Sequence, residues 1–108
     1  MYEIAITTQF TATHALRLYD GELEPVHEHD WSVKVAVAAK ELDQIQTVMD
    51  FHALQELVAD LIGKLHNNNL NDVEPFASDV NPSAERVAEW IGSRLAYLLP
   101  KQVKLVAA

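Results

Sequence analysis

Residues 27–39 read HEHDWSVKVAVAA, a stretch in which polar and apolar side chains alternate along most of its length. A period of two residues predicts a β-strand and places His27 and His29 on the same face. The later odd-numbered positions on that face are all apolar, namely Trp31, Val33, Val35, Val37 and Ala39. The two histidines therefore begin the side of the strand that we expect to face the core.

Residues 2–14 alternate in the same way and are rich in Ile, Thr and Phe, which predicts a second strand ending at His14. The connection, residues 15–26, contains Asp20-Gly21 and Pro25 and is predicted to be a loop. Residues 2–14 and 27–40 should therefore form a long antiparallel hairpin. Its loop end brings His14 close to His27 and His29.

Three imidazoles at the core-facing ends of two neighbouring strands form a ligand set for a transition metal. Zinc suits them best, with a fourth coordination position left open. A buried histidine is also commonly a hydrogen-bonded core residue, and the spacing alone leaves that alternative open for His14, His27 and His29.

The second half of the chain predicts two helices and a short strand. Asp50 is a candidate N-cap for a helix that begins at Phe51 and ends near the Asn67-Asn68-Asn69 run. Residues 70–80 are predicted to be a loop. Asn81-Pro82 is predicted to be the N-cap and first position of a helix through about Leu98, and residues 102–107 a final strand.

These elements predict one α+β domain over residues 1–108, with both helices on one face of an antiparallel sheet. The other face and the sheet edges would remain uncovered, so we expect the chain to form a homo-oligomer. A formal charge of −8 argues against nucleic acid or an anionic membrane as the main partner. The chain has no cysteine, no signal-peptide pattern at its start and no membrane-spanning apolar run, which favours the cytoplasm.

Five motifs, in order, resemble those of the 6-pyruvoyl-tetrahydropterin and 6-carboxy-tetrahydropterin synthase family. FTATHAL at 10–16 is similar to F-S-A-x-H-x-L, and HEHDW at 27–31 to H-G-H-N-Y/W. VMDFHAL at 48–54, LND at 70–72 and NPSAE at 81–85 resemble M-V-x-D-F-x-x-L, L-N-D and N-P-T-x-E.

The resemblance implies the tunnelling fold (T-fold), in which subunits assemble into a barrel as a trimer or hexamer. It also implies zinc on His14, His27 and His29, and a substrate such as 7,8-dihydroneopterin triphosphate or a related pterin. The zinc would polarise oxygens of the substrate side chain, in a carbon-oxygen lyase reaction.

The chain departs from the family pattern at the groups that transfer protons. Leu23 stands where members carry a catalytic cysteine, and His66 and Asn67 align with their Asp-His pair. By the resemblance, the glutamate that anchors the pterin is replaced by alanine within residues 103–108, and we expect the family's final hairpin to be truncated there. We therefore also expect one of two alternatives: a non-catalytic metal-binding relative, or a member with a changed substrate or a reaction based on zinc-bound water.

Three side chains remain as candidates for the missing roles. His66 is a candidate general base, because imidazole exchanges protons near neutral pH. Glu85 and Ser83 are candidates for binding the pterin, although Glu85 is equally explained as a first-turn acid that favours the helix dipole. Glu22 and Glu24 lie near the expected metal in sequence, but no pattern assigns either of them a role.

Overall fold

The computed structural model describes residues 1–107, with Lys104, Val106 and Ala107 described by their backbone alone. The elements in chain order are β1 (Tyr2–His14), β2 (His27–Ala39), α1 (Phe51–Gly63), a short 3-10 helix (Leu70–Asp72), α2 (Ala84–Leu98) and β3 (Lys104–Ala107). The strands form one antiparallel sheet in the order β1-β2-β3. The predicted α+β fold class is confirmed.

The β1–β2 hairpin is regular along its whole length. Its register runs from Tyr2 opposite Ala39 to His14 opposite His27 without a bulge. Alternation favours this register, because a shift of one strand by one residue would turn the apolar side chains of that strand toward water. Phe10 and Trp31 face each other across the strands, with stacked rings 5.6 Å apart.

The core lies between one face of this sheet and the two helices. Its members include even-numbered residues of β1, odd-numbered residues of β2, and the inner faces of α1 and α2. Fully or nearly fully buried examples are Phe10, Val35, Val37, Leu54, Val58, Leu70, Phe76, Ile91 and Leu95. No helix among residues 1–107 has the length and apolar character needed to cross a membrane.

The helix boundaries differ from those predicted at two of four ends. Asp50 caps α1 as expected, because its side chain accepts the His52 N–H at 2.8 Å. The helix ends at Gly63, however, and residues 64–69 continue as turns. The N-cap of α2 is Ser83, whose hydroxyl accepts the Arg86 N–H at 3.2 Å. The prediction of Asn81 as N-cap was wrong, because its amide bonds to the backbone of Arg17 instead.

Residues 66–69, the edge segment, lie along the outer edge of β1 near the histidines. The Asn67 N–H donates to the Thr11 carbonyl at 2.7 Å, and the Thr13 N–H donates to the Asn68 carbonyl at 3.1 Å. These bonds satisfy backbone groups that an edge strand otherwise leaves to solvent. The edge segment therefore fixes the end of β1 that carries His14.

Candidate metal centre

Three histidines meet at the loop end of the hairpin. His14 is the last residue of β1 and lies opposite His27, the first residue of β2, while His29 is two residues further along the same strand face. One nitrogen from each ring lies within 4.8 Å of the other two. The predicted histidine cluster is thus present, and these three side chains can hold a metal ion.

His14 is held in a defined ring orientation. Its Nδ1 lies 2.7 Å from the Pro82 carbonyl, and only 7% of the residue is exposed. A carbonyl only accepts hydrogen bonds, so Nδ1 carries a proton, and in the neutral ring Nε2 keeps its lone pair. This is the arrangement that orients metal-bound imidazoles in proteins.

His27 has the same kind of support from its own loop. Its Nδ1 lies 3.0 Å from the Pro25 carbonyl, which again leaves Nε2 as the ligand atom. That Nε2 is 3.9 Å from Oε1 of Glu24. The same Oε1 accepts the Leu16 N–H at 3.0 Å, so the Glu24 carboxylate is fixed beside the cluster.

His29 and Trp31 mark two different sides of the cluster. Trp31 forms an apolar wall, with its ring 4.9 Å from that of His14 and its indole N–H bonded to the Ala12 carbonyl at 3.3 Å. His29 is exposed to solvent. A ligand that completes the coordination of a metal would therefore approach from the side of His29.

The donor set fits a borderline transition metal. Zinc binds imidazole nitrogen at about 2.0–2.1 Å, so three ligand nitrogens in a tetrahedral site lie about 3.4 Å apart. Metal binding would require the side chains to rotate until the observed limit of 4.8 Å falls to that value, and His29 is the exposed member of the three. Three neutral nitrogens and no thiolate match a catalytic site with an open position.

The other predicted site residues lie on segments that contact this end of the hairpin. Ser83 directly follows Pro82, so the start of α2 lies beside His14. Glu85 is an exposed carboxylate in the first turn of that helix. His66 is exposed on the edge segment, and its Nδ1 accepts the Thr11 N–H at 3.1 Å. In the neutral ring, Nε2 of His66 therefore carries the proton.

Sequence reasoning missed the backbone carbonyls of Pro25 and Pro82 and the asparagine amides described below. Nothing local in the sequence indicates the Pro82 carbonyl or the asparagine amides, because their contacts join residues 56 to 68 positions apart. The Pro25 carbonyl is only two residues from His27, but no sequence pattern distinguishes this contact. The sequence comparison places the family's pterin-anchoring glutamate at the alanines that end residues 103–108. Ala108 and the side chain of Ala107 lie outside the described part of the chain.

The segments that build the site are strongly acidic. Residues 10–31 contain five carboxylates and one cationic side chain, Arg17, while residues 66–85 contain four carboxylates and neither lysine nor arginine. The Arg17 guanidinium donates to the carbonyls of Phe76 at 2.6 Å and Val80 at 3.0 Å. This field favours a cation at the histidine cluster and disfavours an anionic group near it.

Comparison with known proteins gives a consistent result. The model of the family described as 6-pyruvoyl tetrahydropterin synthase matches residues 3–108. A dihydroneopterin monophosphate aldolase of Pyrococcus furiosus is 33% identical over 102 residues, covering 94% of this chain and 82% of that protein. A 6-carboxy-5,6,7,8-tetrahydropterin synthase of Bacillus subtilis is 32% identical over 102 residues, covering 90% and 68%.

The fold agrees with solved structures. The Caenorhabditis elegans 6-pyruvoyl tetrahydropterin synthase superposes with a TM-score of 0.76 at 20% identity, covering 99% of this chain and 95% of that one. The Plasmodium falciparum enzyme gives a TM-score of 0.72, covering 89% and 78%. The chain therefore has the tunnelling fold that the motifs implied.

Proposed function

Since the chain belongs to the 6-pyruvoyl tetrahydropterin synthase family, we propose that it is a zinc-dependent lyase acting on the hydroxylated side chain of a 7,8-dihydropterin. The observation that carries this proposal is the cluster of His14, His27 and His29, in which two backbone carbonyls fix the rings of His14 and His27. Bound zinc would supply Lewis acidity toward the substrate's side-chain oxygens.

The reaction we propose is cleavage of the C1′–C2′ bond of 7,8-dihydroneopterin monophosphate. A base removes the proton of the C2′ hydroxyl, C2′ becomes an aldehyde carbon, and the bonding electron pair passes to C1′ and the conjugated pterin. Protonation at C1′ then gives 6-hydroxymethyl-7,8-dihydropterin and glycolaldehyde phosphate. No oxidant or second substrate is required.

Two observations favour this reaction over carbon-oxygen cleavage. The chain has no cysteine to supply the base used in the family's synthase chemistry. The Pyrococcus relative, matched over more of its length than the Bacillus synthase, is an aldolase. Elimination of triphosphate from 7,8-dihydroneopterin triphosphate remains the second candidate, supported by the name of the family and by the Bacillus relative.

Glu24 is the base in this proposal. Its carboxylate is fixed by the Leu16 N–H and lies 3.9 Å from the ligand nitrogen of His27, so it is next to any oxygen bound at the cluster. A general base must lie within hydrogen-bond reach of the proton that it removes. A glutamate is also a catalytic residue in the Plasmodium vivax synthase, where its replacement by alanine has been studied structurally.

His66, Ser83 and Glu85 have supporting roles in the proposal. His66 donates its Nε2–H to a substrate oxygen, since its Nδ1 accepts the Thr11 N–H, and the protonated Glu24 carboxyl returns the proton to C1′. Ser83 uses its oxygen to cap α2, which leaves its O–H to donate to the pterin. The exposed Glu85 carboxylate accepts hydrogen bonds from ring N–H groups.

We further propose that the chain assembles into the barrel of the tunnelling fold, as a trimer or hexamer, in the cytoplasm. An exposed apolar group at the hairpin end remote from the histidines supports assembly. It consists of Met1, Tyr2, Leu42, Ile45 and Phe51. Light scattering coupled to size-exclusion chromatography measures the oligomer directly.

The function is tested by turnover of the zinc-loaded protein, with products identified by mass spectrometry. Dihydroneopterin monophosphate and triphosphate are offered separately. Glycolaldehyde phosphate is the expected product, and release of triphosphate without it would move the assignment to carbon-oxygen cleavage. Unchanged substrates with stoichiometric zinc would identify a non-catalytic relative.

Glu24→Gln tests the assigned base, because glutamine keeps an acceptor for the Leu16 N–H. We expect kcat to fall by about 10²–10⁴-fold, the usual contribution of a general base. Glu28→Gln is the matched control, since Glu28 is exposed on the opposite face of β2. If Glu24→Gln and Glu28→Gln have the same kcat, Glu24 is not the base.

A further inference from the structure

The three residues that follow His14 leave the hairpin ladder but remain fully hydrogen-bonded. On one side, Leu16 pairs with Glu24, which donates its N–H to the Leu16 carbonyl at 3.0 Å and accepts the Leu16 N–H at its carboxylate. Ala15 and Arg17 face the other side, as alternate residues of an extended segment do.

Two asparagine amides bond to the backbone on that second side. Asn71 accepts the Ala15 N–H at 2.9 Å and donates its own amide to the Ala15 carbonyl at 2.9 Å. Asn81 does the same for Arg17, at 2.8 Å and 3.0 Å. Each side-chain amide thus replaces one residue of a neighbouring strand. We call Asn71 and Asn81 together the asparagine clamp.

The clamp connects to the histidine cluster through one residue. Asn81 directly precedes Pro82, whose carbonyl accepts the Nδ1–H of His14 at 2.7 Å. The Arg17 guanidinium fastens the same loop from the other direction, through the carbonyls of Phe76 and Val80. Contacts of residues 15–17 therefore hold both the segment that follows His14 and the loop that carries Pro82, and so fix the distance between His14 and the Pro82 carbonyl.

From this arrangement we propose that Asn81, supported by Asn71, is a positioning residue that holds the Pro82 carbonyl against His14 and so presents Nε2 of His14 to the metal. The inference rests on the three-histidine site of the proposed function. Groups that orient a metal-bound histidine through its second nitrogen typically change metal affinity by about 10–100-fold when they are lost.

Asn81→Asp tests the proposal with minimal change in shape. The carboxylate keeps an acceptor for the Arg17 N–H but loses the donor and turns a lone pair toward the Arg17 carbonyl. We expect zinc affinity to fall about 10–100-fold, and the visible spectrum of the Co²⁺-substituted protein to change because the ligand geometry changes. Asn71→Asp should have the smaller effect, because Asn71 does not adjoin Pro82.

The matched control is Asn68→Asp. Asn68 also donates its amide to backbone carbonyls, those of Lys64 at 3.1 Å and His66 at 3.3 Å, but its side chain is exposed and both of these bonds lie within its own turn. Its zinc affinity and Co²⁺ spectrum should match those of the wild type. Urea unfolding of each metal-free variant shows whether a loss of affinity merely follows a loss of folded protein.

A second readout does not require metal. In the metal-free wild type, ¹⁵N NMR should show His14 with its proton on Nδ1, and Asn81→Asp should increase the Nε2–H tautomer. Asn81→Ser is the alternative if the aspartate variant does not fold. Wild-type affinity, Co²⁺ spectrum and tautomer in a folded Asn81 variant would overturn the inference and leave the zinc site standing. Absence of stoichiometric zinc from the wild type would overturn the inference and the proposed function together.

Discussion

His14 and His29 belong to the same cluster but differ in how the protein holds them. His14 is buried and bonded to the Pro82 carbonyl, whereas His29 is exposed. We expect either alanine variant to lose stoichiometric zinc. His14→Ala should also destabilise the metal-free protein by about 1–3 kcal/mol, because a buried carbonyl loses its donor, while His29→Ala should leave that stability unchanged.

Metal analysis and urea unfolding of the metal-free proteins measure these two effects separately. His52→Ala is the control, since His52 is an exposed residue at the start of α1. Full zinc occupancy in His14→Ala would contradict a zinc site made of the three histidines.

His66 carries two roles that substitution can separate. The imidazole accepts the Thr11 N–H at the edge of β1, and in our proposal it also donates its Nε2–H to the substrate. His66→Ala should lose activity and about 0.5–1.5 kcal/mol of unfolding free energy. His66→Asn places an amide oxygen near the position of Nδ1, so it should regain most of the stability without the activity. Wild-type turnover by the asparagine variant would limit His66 to the edge contact.

The individual site residues show what sequence alone can predict. The histidines were predictable because alternation fixes which strand face they share, and the hairpin brings their ends together. The supporting Pro82 carbonyl, Asn71 and Asn81 were not, because their partners lie in a loop about 60 positions away in sequence, and no periodicity relates the two segments. Glu24 was visible as a neighbour in sequence, but only the structure shows its distance from His27.

At the scale of elements, the start of α2 is both a structural cap and part of the site. Ser83→Ala should lower stability by about 1 kcal/mol, because the Arg86 N–H loses its acceptor. It should also raise KM for the pterin if the hydroxyl donates to the substrate. Ser83→Thr should retain both properties.

Asp50→Ala serves as the comparison for Ser83→Ala, since Asp50 caps α1 in the same way. Thermal unfolding should show similar losses for the two alanine variants, and steady-state kinetics should show a KM effect for Ser83→Ala alone. An unchanged KM would confine Ser83 to the helix cap.

The connection between β2 and α1 has its own pH dependence. The Thr47 hydroxyl, together with backbone N–H groups of Thr47 and Ile45, lowers the pKa of Asp43 below its ordinary value of 3.8. A lowered folded-state pKa means that the carboxylate stabilises the fold above the ordinary value, and that this contribution is lost as pH falls through the lowered one. Asp43→Asn should therefore lower the urea midpoint at pH 7. Below about pH 4 the midpoints of the variant and the wild type should approach each other.

Asp79→Asn, a change at an exposed aspartate in another loop, should leave the urea midpoint unaltered at pH 7. A constant difference between wild type and Asp43→Asn from pH 7 to pH 2.5 would show that the Asp43 charge does not contribute.

The elements themselves were largely predictable, and their errors have a common cause. Asp50 caps α1 because it stands next to the helix whose N–H groups it accepts. Asn81-Pro82 has the same local signature, yet the Asn81 amide bonds to Arg17, and the cap passes to Ser83. A capping residue with a better long-range partner cannot be recognised from local sequence.

At the scale of the whole molecule, charge makes a prediction about the substrate. The chain carries a formal charge of −8, and the segments around the histidines hold nine of its sixteen carboxylates and one of its eight lysine and arginine side chains. A phosphorylated dihydroneopterin is itself an anion, so its encounter with this end of the molecule is opposed by long-range repulsion. Salt weakens such repulsion, because the Debye length shortens from about 30 Å at 0.01 M to about 8 Å at 0.15 M ionic strength.

We therefore expect kcat/KM for dihydroneopterin monophosphate to rise about two- to fivefold between these salt concentrations, an effect on encounter rather than on chemistry. Unphosphorylated dihydroneopterin carries no phosphate and should show a flat salt dependence, which makes it the internal control for effects of salt on the protein. A fall in kcat/KM with salt for the monophosphate alone would mean attraction. The sources of that attraction to separate would be the bound zinc ion, Lys64 and Arg86 that flank these segments, and lysine or arginine side chains of a neighbouring copy in a homo-oligomer.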